Sequence, residues 1–105
     1  MHKLVVLYPE PKDRATFTDY YTSTHLPLAA KLPGLERWNY SLDVTPGPSG
    51  PAPYFAVFEA EFPDAQTFGA AMASPEGQAV VNDVPNYATG GAVVLDYAIS
   101  KGEKS

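Results

Sequence analysis

Tyr21 and His25 are the residues of this chain whose types and spacing best suit proton transfer. Four positions apart, they fall on one face of a helix. Pro27 follows closely and lacks the N–H that the Ser23 carbonyl would accept, so a helix should kink or restart here. An imidazole that titrates near neutrality, beside a phenol at a helix break, indicates a small pocket able to move a proton.

A structural role fits His25 equally well. A buried histidine can donate to a backbone carbonyl that Pro27 leaves free, such as that of Ser23. The tyrosines have a structural alternative too, because aromatic residues at helical or strand spacing commonly pack in a core.

Catalysis would divide between the histidine and two tyrosines. His25 would take and return a proton, while Tyr21 and Tyr40 would orient the substrate or stabilise an enolate or phenolate oxygen. The candidate substrate-binding residues are large apolar side chains that also suit a core: Trp38, Phe58, Phe17, Phe68 and Met72.

The elements that must position these residues are predicted from periodicity as βαββαβ. The strands are apolar or alternating runs at residues 3–8, 35–45, 54–62 and 92–99. The helical regions are 13–32 and 64–86, with Asp64 as an N-cap and a fresh start at Pro75. The Pro-rich residues 46–53 connect the middle strands as a long hairpin loop.

Alternation in the middle strands predicts their register. If Val44 lies opposite Tyr54, Tyr40 meets Phe58 on an aromatic face, and Arg37 meets Glu61 on a charged face. With right-handed βαβ connections, the fold class is α+β and ferredoxin-like: an antiparallel four-stranded sheet with both helical regions on one face.

The opposite sheet face is predicted to be covered by a second copy of the chain. The first strand is apolar on both sides, and Leu35, Phe55 and Val57 add to the face that also carries the charges. A homodimer packed sheet to sheet is the simplest cover.

The length and amino-acid composition of the chain limit the functions that it could have. The 105 residues predict one domain, 1–105, with a flexible tail at 100–105. A net charge of -5 with seven Lys and Arg argues against nucleic acid or an anionic membrane surface as partners. No apolar run could cross a bilayer and no signal peptide is evident, so a cytoplasmic location is expected. Without cysteine, and with only two distant histidines, no metal or other cofactor is expected.

The sequence resembles the EthD family of the dimeric α+β barrel superfamily, on three segments: Tyr20-Tyr21 with residues 25–29, residues 32–35 and residues 74–77. The family takes its name from a gene cluster for ethyl tert-butyl ether degradation. The resemblance implies a homodimer whose sheets close into a barrel, with a pocket in each subunit. Similar proteins include methylmuconolactone isomerases, cofactor-free monooxygenases and polyketide-modifying enzymes. In the isomerases, pocket positions correspond to Tyr21, His25 and Tyr40.

The leading hypothesis is therefore a cofactor-independent enzyme that acts by proton transfer on a small, largely apolar oxygenated or aromatic compound. Isomerisation, cyclisation, decarboxylation and oxygenation all fit. The alternative is a non-catalytic accessory or ligand-binding dimer that carries the same pocket.

Overall fold

Strands and helices alternate along the chain in the predicted order βαββαβ. The structure is a computed structural model and describes residues 1–102; the end of the tail predicted at 100–105 lies outside the described residues. The elements, in chain order, are β1 (His2–Tyr8), α1 (Arg14–Tyr20), a π-helical turn (Tyr21–His25), α2 (Leu26–Ala29), β2 (Arg37–Ser41), β3 (Ala56–Phe62), α3 (Ala65–Ala73), α4 (Pro75–Asp83), a 3₁₀ turn (Val84–Asn86) and β4 (Val93–Ala98).

The four strands form one antiparallel sheet in the order β2-β3-β1-β4, which confirms the ferredoxin-like fold. The predicted hairpin register is confirmed as well: Tyr40 lies opposite Phe58, and Arg37 opposite Glu61. Both middle strands are shorter than predicted, because their pairing ends at Ser41. The predicted strand residues 42–45 and 54–55, which flank the proline-rich loop, lie outside the strands.

The core lies between the sheet and the helices. Alternate residues of β1 and β3 point to this face, as the two-residue period of a strand requires. They are buried against the helical regions: Leu4, Val6, Tyr8, Ala56, Phe58, Ala60 and Phe62.

The outer face of the sheet differs in part from the prediction. Phe55 was expected there but packs in the core, with its ring 5.2 Å from that of Phe17. Leu35 also packs against the core. Both residues lie outside the strands, so strand alternation does not decide their direction. The apolar part of the outer face comes from Val5 and Leu7 of β1, Val57 of β3, and the exposed Val93, Leu95 and Tyr97 of β4.

The first helical region breaks where the sequence indicated. Asp13 caps α1 by accepting the Thr16 N–H. Directly after α1, the Leu26 N–H donates to the carbonyl of Tyr21, five residues back, which makes a π-helical turn just before Pro27. A π-helical turn inside a helix often marks a functional site.

The second helical region breaks at the predicted residue too. Ser74 ends α3 and caps α4 by accepting the Gly77 N–H, with Pro75 at the first helical position. Because Gly77 has no Cβ, the start of α4 can approach the end of α3 closely; a Cβ there would overlap the Ala71 carbonyl oxygen. This packing sets the direction in which α4 carries Asp83 to the site.

Candidate functional site

A cavity of about 340 Å³ lies between the sheet and the helices. It reaches the surface beside β4, where Val94 is 59% exposed. Its walls are largely aliphatic or aromatic, and His25 and Tyr8 are the lining side chains that carry a polar group able to bind a ligand. The apolar lining includes Leu4, Val6, Phe58, Met72, Val80 and Val84.

His25 is the last residue of the π-helical turn and is only 3% exposed. Its Nδ1 lies 2.9 Å from Oδ2 of Asp83, the last residue of α4. Asp83 is itself buried, and it accepts two more hydrogen bonds, from the Tyr20 hydroxyl and from Nδ2 of Asn86. The imidazole is thus held by a carboxylate that is in turn held by two further groups.

These contacts determine the protonation states of His25 and Asp83. Burial lowers the pKa of His25, and the hydrogen bond with Asp83 only partly opposes this. Burial also disfavours the Asp83 carboxylate, but hydrogen bonds from Tyr20, Asn86 and His25 outweigh it and lower the pKa of Asp83. At neutral pH a neutral His25 therefore donates its Nδ1–H to an ionised Asp83, which leaves the lone pair of Nε2 free to accept a proton.

Three buried tyrosines form a cluster beside the imidazole, and two of them, Tyr21 and Tyr87, contact it. The Tyr8 and Tyr87 hydroxyls are 2.7 Å apart, and the Tyr87 ring centroid lies 4.5 Å from that of His25. Tyr21 stacks on His25 at 5.3 Å, and its hydroxyl is buried with no hydrogen-bond partner among residues 1–102. Burial raises the pKa of all three phenols, so they stay protonated and can act as donors.

Of the predicted catalytic residues, His25 lines the cavity and the two tyrosines do not. Tyr21 lies against the imidazole, where it contacts His25 rather than the cavity space. Tyr40 is 44% exposed, and its ring lies edge-on to that of Tyr21 at 6.2 Å. The structure therefore brings Tyr21 and His25 together and leaves Tyr40 at the margin of the cluster.

Of the predicted substrate-binding residues, Phe58 and Met72 line the cavity. Trp38 lies on β2, with its ring 6.1 Å from those of Tyr40 and Phe58, outside the lining. The other two lie away from the cavity: Phe17 is a core residue among the rings of Tyr8, Tyr21, Phe55 and Tyr87, and the partly buried Phe68 contacts Phe62 and His2.

Sequence reasoning missed Asp83 as the partner of His25. The imidazole bonds this carboxylate rather than the Ser23 carbonyl that was considered as its acceptor. A signal was present: Asp83 lies three residues after Val80, on the buried face of α4. A carboxylate at a helix C-terminus is electrostatically unfavourable, so a buried one there needs strong donors.

Within residues 1–102, no three His, Asp or Glu side chains come together as a metal site. His2 forms a separate pair with Asp96, at 2.8 Å, and does not line the cavity. The same residues contain no helix with the length and apolar character to span a bilayer.

Residues 9–91 match the model of the EthD domain. The chain belongs to the EthD family. An uncharacterised 11.0 kDa protein encoded in the thcB-thcC intergenic region of Rhodococcus erythropolis is 36% identical to this EthD protein over 99 residues, covering 90% of this chain and 91% of that protein. The crystal structure of an EthD family protein from Bacillus halodurans shares 29% identity, covers 95% of this chain and 99% of its own, and has a TM-score of 0.88.

More distant solved structures show the fold alone. The hydroxynitrile lyase of Passiflora edulis is 18% identical, with a TM-score of 0.74 and coverage of 98% and 95%. SnoaB, a cofactor-independent oxygenase of Streptomyces nogalater, is 15% identical, with a TM-score of 0.68 and coverage of 96% and 94%. A dimeric ferredoxin-like protein from Thermobifida fusca is 13% identical, with a TM-score of 0.68 and coverage of 93% and 89%. The fold of this EthD protein is thus shared by an oxygenase and a lyase.

Proposed function

We propose that this EthD protein is a cofactor-independent enzyme that transfers a proton on a small, largely apolar oxygenated compound, with His25 as the base. The supporting observation is the His25–Asp83 pair at the wall of an apolar cavity. A neutral imidazole whose Nδ1–H is held by a carboxylate has its Nε2 free to accept a proton.

The carboxylate also stabilises the state that is reached by proton uptake. When Nε2 takes a proton from a C–H next to a carbonyl group, the electron pair of that bond moves to the oxygen as an enolate, and His25 becomes an imidazolium. Asp83 stabilises this cation at 2.9 Å. Where the enolate is conjugated with a C=C bond, return of the proton to the far carbon gives an isomer. When the Nε2–H of the imidazolium first exchanges with solvent, return of a solvent hydrogen to the same carbon gives isotope exchange.

Exchange tests the proposal without knowledge of the natural substrate. The probe is 2-tetralone, a neutral bicyclic ketone with acidic C–H groups next to its carbonyl, incubated in D₂O and followed by NMR. The wild-type protein is expected to accelerate deuterium incorporation. His25→Asn retains an N–H in place of Nδ1–H but lacks Nε2, so it should lose about 10²- to 10⁴-fold of the acceleration.

His2→Gln is the matched control, because His2 also pairs with an aspartate through one ring nitrogen but lies outside the cavity. It should exchange the probe as fast as wild type. Equal rates for wild type and His25→Asn would contradict catalysis by His25. If the cavity binds 2-tetralone without exchange, the non-catalytic binding or accessory role is supported instead, which the almost wholly apolar lining also fits.

We further propose that the protein is a homodimer formed through the outer sheet face. Supporting this, the outer side of β4 exposes Val93, Leu95 and Tyr97, and Leu7 of β1 lies between Val93 and Val57 of β3. Charged residues on the same face are already paired, as in the Lys3–Glu59 contact at 2.9 Å, so a partner need not leave them uncompensated.

A further inference from the structure

The polar end of the cavity contains a group that proton transfer by His25 does not use, the Tyr8 hydroxyl. Tyr8 lines the same cavity as His25 and is almost fully buried. Its hydroxyl lies 2.7 Å from that of Tyr87, whose ring packs directly on the imidazole. A hydroxyl can donate one hydrogen bond and accept two, so when Tyr87 donates to Tyr8, the Tyr8 proton is free for a ligand.

The neighbouring Tyr21 hydroxyl adds to this capacity. It is fully buried and has no partner among residues 1–102, and its ring lies 5.4 Å from that of Tyr8. A buried hydroxyl without a partner is unusual in a protein, and here it stands beside a hydroxyl pair that contains a single hydrogen bond. The hydroxyls of Tyr8, Tyr21 and Tyr87 therefore include more hydrogen-bond donors than these three residues use among themselves.

The rest of the cavity determines the charge and size of a ligand whose oxygen could accept these hydrogen bonds. No lysine or arginine is among the described residues that line it, so nothing there would compensate a carboxylate or phosphate. Its volume of about 340 Å³ is roughly twice that of an engineered 150 Å³ apolar cavity that binds benzene. One or two rings would fit.

We propose that the Tyr8 hydroxyl, supported by Tyr87, binds the oxygen of a neutral compound of one or two rings and presents it to His25. This inference rests on the proposed function: it names the substrate class and the residue that recognises it. Tyr8 donates to the carbonyl oxygen in the ground state and to the enolate oxygen after His25 has taken the proton. A ligand recognised in this way needs an uncharged ring system and one oxygen atom that accepts a hydrogen bond.

Three ligands with the same ring system test this by isothermal titration: tetralin without oxygen, 2-tetralone with a neutral carbonyl, and 1,2,3,4-tetrahydro-2-naphthoate with a carboxylate. Wild type should bind 2-tetralone about five- to tenfold more tightly than tetralin, and the carboxylate most weakly of the three. Tyr8→Phe, which keeps the ring, should bind 2-tetralone and tetralin equally. Tyr54→Phe, at a different surface cavity, should behave as wild type.

The outcomes separate this inference from the proposed function. If Tyr8→Phe keeps the preference for 2-tetralone over tetralin, or if wild type binds the carboxylate as tightly as the ketone, the inference is overturned. If the binding pattern is as expected but wild type does not exchange deuterium, oxygen recognition by Tyr8 stands and catalysis by His25 fails. An unchanged affinity of Tyr8→Phe for tetralin shows that the variant has kept the folded cavity.

Discussion

Nδ1 of His25 lies 2.9 Å from Oδ2 of Asp83, although the two residues are 58 positions apart in the chain. The π-helical turn that ends at His25 and the last turn of α4 each deliver one partner. Tyr20 and Asn86 bond the same carboxylate. This buried network gives His25 a defined hydrogen-bonding direction, which a solvent-exposed histidine would lack.

The pKa of His25 should respond in opposite directions to two changes at Asp83. Asp83→Asn removes the anion that favours the imidazolium, so the pKa of His25 should fall further below its ordinary value. Tyr20→Phe removes a donor that shares the carboxylate charge, so the pKa of His25 should rise. NMR titration of the imidazole C–H signals of His25 measures both. Shifts in the same direction would contradict the proposed network.

The loss of folding stability at acidic pH should contain a contribution from His25. The pKa of His25 is lowered in the folded protein, so below about pH 6.5 the unfolded chain takes up a proton that the folded chain resists. This contribution is complete above pH 6.5 and is lost as pH falls through the folded-state pKa. The unfolding temperature should therefore drop between pH 7.5 and 5.5, and less steeply in His25→Asn. A steeper drop in the variant would mean that the folded-state pKa is raised instead.

The loss of folding stability at alkaline pH should contain a contribution from the three buried phenols. Burial raises the pKa of Tyr8, Tyr21 and Tyr87, so their stabilising contribution is complete below pH 10 and is lost as pH rises above it. In an ultraviolet titration these three phenols should ionise together with unfolding. Ionisation of every tyrosine before the circular dichroism changes would contradict their burial.

Gly77→Ala should destabilise the protein by about 1–3 kcal/mol, because the added methyl meets the backbone at the end of α3. Gly69→Ala is the matched control in the middle of α3, where nothing lies within 4 Å of the added Cβ. That change should stabilise by about 0.5–1 kcal/mol through helix propensity. Urea unfolding measures both, and equal effects of the two substitutions would argue against the close approach of the helices.

The sequence carries enough local information to predict most of the fold. The Tyr40–Phe58 pairing was predictable because a strand has a two-residue period and one face is aromatic. Phe55 was placed on the wrong face because it precedes β3, where that period does not apply. His25 was identifiable from its place at a helix break, but the Asp83 contact joins two distant helices and leaves no local pattern. Tyr87 follows the 3₁₀ turn, where no periodic sequence pattern indicates which way a side chain points.

The outer sheet face gives a last prediction, on assembly. Leu95 is exposed on β4 in the single chain, so Leu95→Lys should leave that chain folded while placing a charge in the proposed dimer interface. Light scattering at micromolar concentration should give a dimer mass for wild type and a monomer mass for the variant. Gln66→Lys, on the exposed side of α3, should remain dimeric. A monomer mass for wild type would refute the dimer, whereas a dimeric Leu95→Lys would place the interface elsewhere.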